Sequence, residues 1–177
     1  LSITLLGCEQ VSDQIYDDQG SSAFADSYAP SSWKSTSVFP LSVKLGSNLT
    51  ADEKTAIQDA STAWDNSVNN QYQFFNFSAS SIDEKSNLDA YRDSELGIYK
   101  TYDWPDELPG TALAVTQIYG TQRNIGRSSE YIEINHADIL LNYDYFSFST
   151  DDSWGYDLST VVLHEMGHFL GLYHSNT

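Results

Sequence analysis

Residues 38–45, Val38-Phe39-Pro40-Leu41-Ser42-Val43-Lys44-Leu45, approach the two-residue period of a half-buried strand and predict the first strand of an ordered core. Thr50 then places a hydroxyl at a helix N-cap, with the Glu53 carboxylate three positions on, the pattern of a capping box. Ile57, Ala60, Trp64 and Val68 recur at helical spacing, so residues 50–69 are expected to form an amphipathic helix. Phe74, Phe75 and Phe77 suggest a second strand. The polar segment 81–96 fits either a short helix capped by Ser81 and Glu84 or a surface loop. Residues 97–102 and 111–119 read as strands on either side of a loop marked by Pro105 and Pro109-Gly110. Residues 131–142 supply one or two more. Strands with one early and one late helix predict an α+β domain built on a mixed sheet.

Upstream of this core the pattern fades. Residues 9–37 are rich in serine and acidic residues with isolated aromatics, the composition of a linker. Residues 1–8 end in Leu5-Leu6-Gly7-Cys8 after the apolar Leu1 and Ile3. They resemble the lipobox of a bacterial lipoprotein signal peptide, in which the cysteine becomes the lipidated N-terminus; the alternative is a buried cysteine in a short strand. With no Met and no basic stretch ahead of it, the chain is expected to begin inside that leader. A lipid anchor through Cys8 implies an extracellular or cell-surface location. The expected organisation is a leader remnant (1–8), a linker (9–37) and one ordered domain (38–177).

Charge narrows the partners. Among 177 residues, 25 Asp and Glu face 8 Lys and Arg, a formal charge of -17. Such a surface repels a phosphate backbone, so no nucleic-acid partner is expected. A hydrophobic content of 40% supports a packed core and excludes a wholly disordered chain. Cys8 is the single cysteine, which leaves no intrachain disulfide. No apolar run reaches the length of a membrane span, and a monomer is expected.

The chemistry is concentrated near the end. Residues 164–174 read His-Glu-Met-Gly-His-Phe-Leu-Gly-Leu-Tyr-His, a spacing H-E-x-x-H-x-x-G-x-x-H that holds three of the chain's four histidines. His164 and His168, four residues apart, project from one face of a helix and reach the same ion. Asp157 is placed to cap that helix, and Leu158, Val161, Val162 and Leu163 form its apolar side. Gly171 suits the left-handed turn that ends it and brings His174 back as a third ligand. Three neutral imidazoles leave a fourth tetrahedral position open, which is the arrangement of a catalytic Zn2+ site. Glu165 points away from the ligands and is the candidate general base, taking a proton from water and passing it to a leaving amine.

This motif is that of the metzincin zinc peptidases, and Gly167 within it with Ser175 after it resembles the matrixins (peptidase family M10 type). Residues 49–64 resemble the first helix of those domains, Ala137-Asp138-Ile139-Leu140-Leu141-Asn142 the strand before the active-site helix, and Thr111-Ala112-Leu113-Ala114-Val115-Thr116 the antiparallel edge strand above the cleft. The resemblance implies a zincin/metzincin-like α+β catalytic domain with a twisted, mostly parallel sheet. It implies a zinc-dependent endopeptidase whose protein or peptide substrate lies beside the edge strand, at Leu113, Ala114 and Val115. The family's Met-turn is expected beyond Thr177, so the catalytic domain is read as continuing past it. The structural-zinc histidines of animal members have no counterparts here, and His136 is expected at the surface or a strand end rather than on a metal. Asp144 with Asp151 and Asp152, or Asp103 with Asp106, are candidates for Ca2+, although their spacing matches no calcium-loop signature. A zinc-binding but inactive surface lipoprotein that holds peptides or a partner protein is the alternative function.

Overall fold

The computed structural model describes residues 14–16, 22–24, 31–151, 153–172 and 174. Cys8, the leader-like segment and Asp152 lie outside the described residues. Three short strands, β1 (Gln14–Tyr16), β2 (Ser22–Phe24) and β3 (Ser31–Trp33), precede β4 (Leu41–Gly46) and helix α1 (Ala51–Ser67). β5 (Phe75–Ile82), β6 (Gly97–Thr101), β7 (Ala114–Arg123) and β8 (Tyr131–Asn142) follow. The two-residue strands β9 (Phe148–Ser149) and β10 (Tyr156–Asp157) then lead into helix α2 (Leu158–Phe169).

The first core strand begins at Leu41 rather than Val38. Pro40 has no N–H to give a ladder, and Thr36–Val38 forms a 3₁₀ turn capped by Ser35. Along β4, Leu41, Val43 and Leu45 are buried while Ser42 is exposed, which is the alternation the sequence carries. Both halves of the α1 capping box form: Glu53 N–H donates to Thr50 Oγ1 at 3.3 Å, and Thr50 N–H to Glu53 Oε2 at 2.8 Å. Glu53 also anchors a buried polar knot, accepting from Lys100 Nζ at 2.8 Å and from Tyr143 OH at 2.7 Å.

The sheet runs β2-β1-β7-β8-β6-β4-β5, with β3 also paired to β8. It is mixed and mostly parallel: β4 is parallel to β5 and β6, and β6 and β3 are parallel to β8. β7 is antiparallel to β8 along its whole length, from Ala114 opposite Leu141 to Arg123 opposite Tyr131. Both helices cover one face, where Val43, Ile57, Ala60, Ile98, Ile139 and Val162 are among the core. The opposite face is covered by the chain between β5 and β7, through Leu88, Tyr91, Trp104 and Leu108. Burial on both faces explains why β8 shows no clean alternation in sequence although it is one twelve-residue strand. Segment 81–96 resolves into the end of β5 and a 3₁₀ turn, Leu88–Tyr91, capped by Asn87 rather than Ser81.

Two expectations need correction. The expected linker, 9–37, contains β1, β2 and β3, and β3 is part of the packed domain. Ser31 is buried, and the Trp33 Nε1–H donates to the carbonyl of Phe169 at 2.9 Å. The ladder partners of β3, Ile132, Glu133 and Ile134, lie about a hundred residues on, so no local apolar pattern announces the strand. The expected edge strand is also not outermost. β1 borders β7 at Ile118 and Tyr119, and β2 extends the sheet further. Among the described residues, no strand borders 114–117 on the side away from β8. No helix among them is long and apolar enough to cross a membrane.

Candidate active site

Helix α2 starts where its sequence says it should. Asp157 is the N-cap, its Oδ2 accepting the Thr160 N–H at 2.7 Å, and Leu158, Val161, Val162 and Met166 enter the core. The Trp64 Nε1–H of α1 donates to the Leu163 carbonyl at 2.9 Å, and a Cβ on Gly167 would lie 3.2 Å from the Trp64 ring. Glycine at 167 thus lets the two helices close on each other. The helix ends in a Schellman motif: Leu172 N–H donates to Gly167 O at 2.9 Å and Gly171 N–H to His168 O at 2.8 Å, with Gly171 at φ +99. β3 braces this turn, because Ser31 Oγ donates to Gly171 O at 3.2 Å while Trp33 holds Phe169 O.

The turn brings His174 back onto the helix face that carries His164 and His168. The three Nε2 atoms form a triangle with sides of 2.9, 3.0 and 3.0 Å. Tetrahedral zinc with ligands at ~2.0–2.1 Å needs N···N spacings of about 3.3–3.4 Å, so the triangle lies within a few tenths of an ångström of that geometry. The tautomers suit it as well. His168 Nδ1 lies 2.7 Å from the Leu172 carbonyl, which places the ring proton on Nδ1 and leaves the Nε2 lone pair toward the other imidazoles. Burial, and then the proximity of His168 and His174, push the His164 pKa down to about 4. Each imidazole nitrogen offers a single in-plane position, so three that converge on one point cannot all bond to each other; a cation satisfies them together. The three clustered histidines fit a zinc site.

Glu165 leaves the helix in a different direction. It is buried, and its Oε2 accepts a 2.6 Å hydrogen bond from Thr116 Oγ1 on β7. Leu113, Ala114 and Val115 are all buried: Leu113 and Ala114 pack on the helix side of the sheet, Val115 on the other. Only the backbone edge of that stretch is therefore available to a ligand.

His136 is not a surface or strand-end residue. It is buried mid-strand in β8, its Nε2 2.8 Å from both Asp138 Oδ2 and the Tyr91 carbonyl. Its position opposite Tyr119 on the fully covered face of the sheet is what buries it. Burial alone would depress the His136 pKa, but the hydrogen bond and charge of Asp138 hold it above the ordinary value; burial pushes Asp138 up to about 6. Among the described residues, the three histidines are the only group of three or more His, Cys, Asp and Glu whose ligand atoms converge; Asp152, one of the candidate calcium acids, lies outside those residues. Sequence reading missed Thr116, Ser31 and Trp33. The only signal for Thr116 is a hydroxyl at a position whose neighbours on the same strand face, Ala114 and Ile118, are apolar.

Among models of known families, the one described as matrixin, of the peptidase M10 type, matches residues 18–177. Comparison with curated proteins found no match.

Proposed function

The chain belongs to the matrixin family, whose members are zinc peptidases, and from that premise we propose that it is a zinc-dependent endopeptidase with Glu165 as its general base. The observation that carries the proposal is the Nε2 triangle of His164, His168 and His174, with a buried carboxylate on the adjacent residue turned toward β7. The three imidazoles would hold the ion, and His168 would be oriented by its bond to Leu172 O. Bound zinc supplies Lewis acidity, which polarises the scissile carbonyl and eases deprotonation of water.

The rest of the chemistry belongs to the chain. A peptide in extended conformation would pair with the backbone edge at residues 114–117, its carbonyls and N–H groups completing a ladder. Glu165 takes the proton of the attacking water as the water oxygen bonds to the carbonyl carbon. The same carboxyl then delivers that proton to the amide nitrogen as the C–N bond breaks, so the base is restored when the amine leaves.

The test is Glu165→Gln, which is nearly isosteric and cannot accept the proton. On a fluorogenic peptide library, turnover is expected to fall by about 10²–10⁴-fold with zinc content unchanged. A fall below tenfold removes Glu165 from the base role. A wild-type protein that binds zinc and peptides but cleaves none would replace the enzyme by a peptide-binding protein.

A further inference from the structure

On the reading of Glu165 as the proton acceptor, we propose that Thr116 is its positioning residue, fixing the orientation of the carboxylate through Oε2. Thr116 sits on β7 with its side chain on the face toward α2, between Ala114 and Ile118, and it is 1% exposed. That face is otherwise apolar. A valine would fill the position without needing a partner, whereas a buried hydroxyl costs free energy unless it is bonded. The acceptors found for it are two atoms of one residue, Glu165 Oε2 at 2.6 Å and the Glu165 carbonyl at 3.0 Å.

A hydroxyl has one proton to donate. A bond to a carboxylate is charge-assisted, shorter and about twice as strong as a bond to a neutral carbonyl, and the 2.6 Å contact falls in that class. Thr116 therefore donates to Oε2. The consequence is orientational: a glutamate has three side-chain torsions, and one bond to a ten-residue strand paired along its length with β8 fixes the plane of the carboxylate against the sheet. The same strand offers the substrate its backbone edge two or three residues earlier. Base and peptide are thereby referenced to one rigid element, the geometry that proton transfer in a near-attack arrangement needs.

The experiment compares Thr116→Val, Thr116→Ser, Glu165→Gln and the Thr116→Val/Glu165→Gln pair in the zinc-loaded protein. Thr116→Val is expected to lower kcat by about 10–100-fold with KM within about twofold, since a misplacement of 1 Å can cost 10²-fold. Zinc content should be unchanged, and the protein should remain folded at the assay temperature. Thr116→Ser should restore kcat to within a few-fold, and the double variant should be no slower than Glu165→Gln alone, because the hydroxyl acts only through the carboxylate. Unchanged kcat in Thr116→Val, a Thr116→Ser variant as slow as Thr116→Val, or additive losses would each overturn the proposal. A Glu165→Gln variant that stays active would instead overturn the base reading itself. Independently of turnover, zinc-free protein labelled with carboxyl-13C glutamate reports the contact. The Glu165 resonance, assigned by its loss in Glu165→Gln, should shift in Thr116→Val and return in Thr116→Ser; an unshifted resonance refutes the bond.

Discussion

Gly171→Ala tests how the third imidazole is brought to the other two. At φ +99 an alanine is strained wherever it stands, by roughly 1–3 kcal/mol. The neighbours make it worse. A Cβ at this position would lie 2.5 Å from the Ser31 carbonyl oxygen, 3.0 Å from its carbon and 3.2 Å from Ser31 Oγ. Carbon and oxygen in contact normally stand about 3.3–3.6 Å apart, so the gap must open by nearly 1 Å. β3 cannot simply withdraw, because it is paired to Ile132–Ile134 on one side and tied to Phe169 through Trp33 on the other. The turn moves instead, and it carries His174, three residues on, out of the triangle. The expected outcome is a loss of about 2–4 kcal/mol in urea denaturation of the metal-free protein. A chromophoric-chelator competition should show zinc affinity reduced by about 10–100-fold, the range typical when support of a ligand is lost. Gly126→Ala separates the two causes: its φ is +74 but nothing lies within 4 Å, so it should cost about 1–2 kcal/mol and leave zinc binding alone. If Gly171→Ala lost no more stability than Gly126→Ala and bound zinc within twofold of the parent, the close approach of β3 would not be what places His174.

Lys100→Met leaves Glu53 buried without its cation while keeping the bonds from Thr50 N–H and Tyr143 OH, and should cost about 2–4 kcal/mol at pH 7. Burial by itself would raise the Glu53 pKa, but Lys100, the Thr50 N–H and Tyr143 hold it below its ordinary 4.5. That stabilisation is present above the unfolded value and lost as pH falls through the folded one, so the penalty should shrink in denaturation curves near pH 3; an equal penalty at both pH values would contradict a charge effect. The His136–Asp138 pair has the opposite sign. Both groups hold their protons to higher pH in the fold than in the unfolded chain, so stability should fall as pH rises from about 4, through the Asp138 value of about 6, and into the histidine range. Asp138→Asn should remove the part of that fall between pH 4 and 6, on the order of 1–3 kcal/mol; a pH slope identical to that of the parent would exclude the pair as its source.

Much of the site could be read from residue order because it is local. His164 and His168 share a helix face by the 3.6-residue period, Asp157 caps that helix, and Gly171 ends it. The early helix was equally legible, since the Thr50–Glu53 box closes within a single turn. The matrixin likeness rested on the same short-range features and on the order of strands around them, and it carried the fold class with it.

What residue order by itself determined, then, is the set of contacts made within about ten residues: the helices, their caps, the alternation of β4, and the spacing that lets three imidazoles meet. Only the tertiary structure decided the rest. Ser31 and Trp33 lie in a polar tract and become the brace of the helix end, because their partners, Phe169 and Gly171, are more than 130 residues away. Thr116 meets Glu165 across 49 residues; its apolar neighbours on the strand face, Ala114 and Ile118, mark the hydroxyl as buried, but nothing local names the carboxylate that it holds. His136 became a core residue because its sheet face is covered by the Leu88–Tyr91 turn, whose packing depends on where the whole segment crosses the sheet. Periodicity records which way a side chain points relative to its neighbours in sequence. It does not record what waits on the other side, and for these residues that is set by the pairing of distant strands.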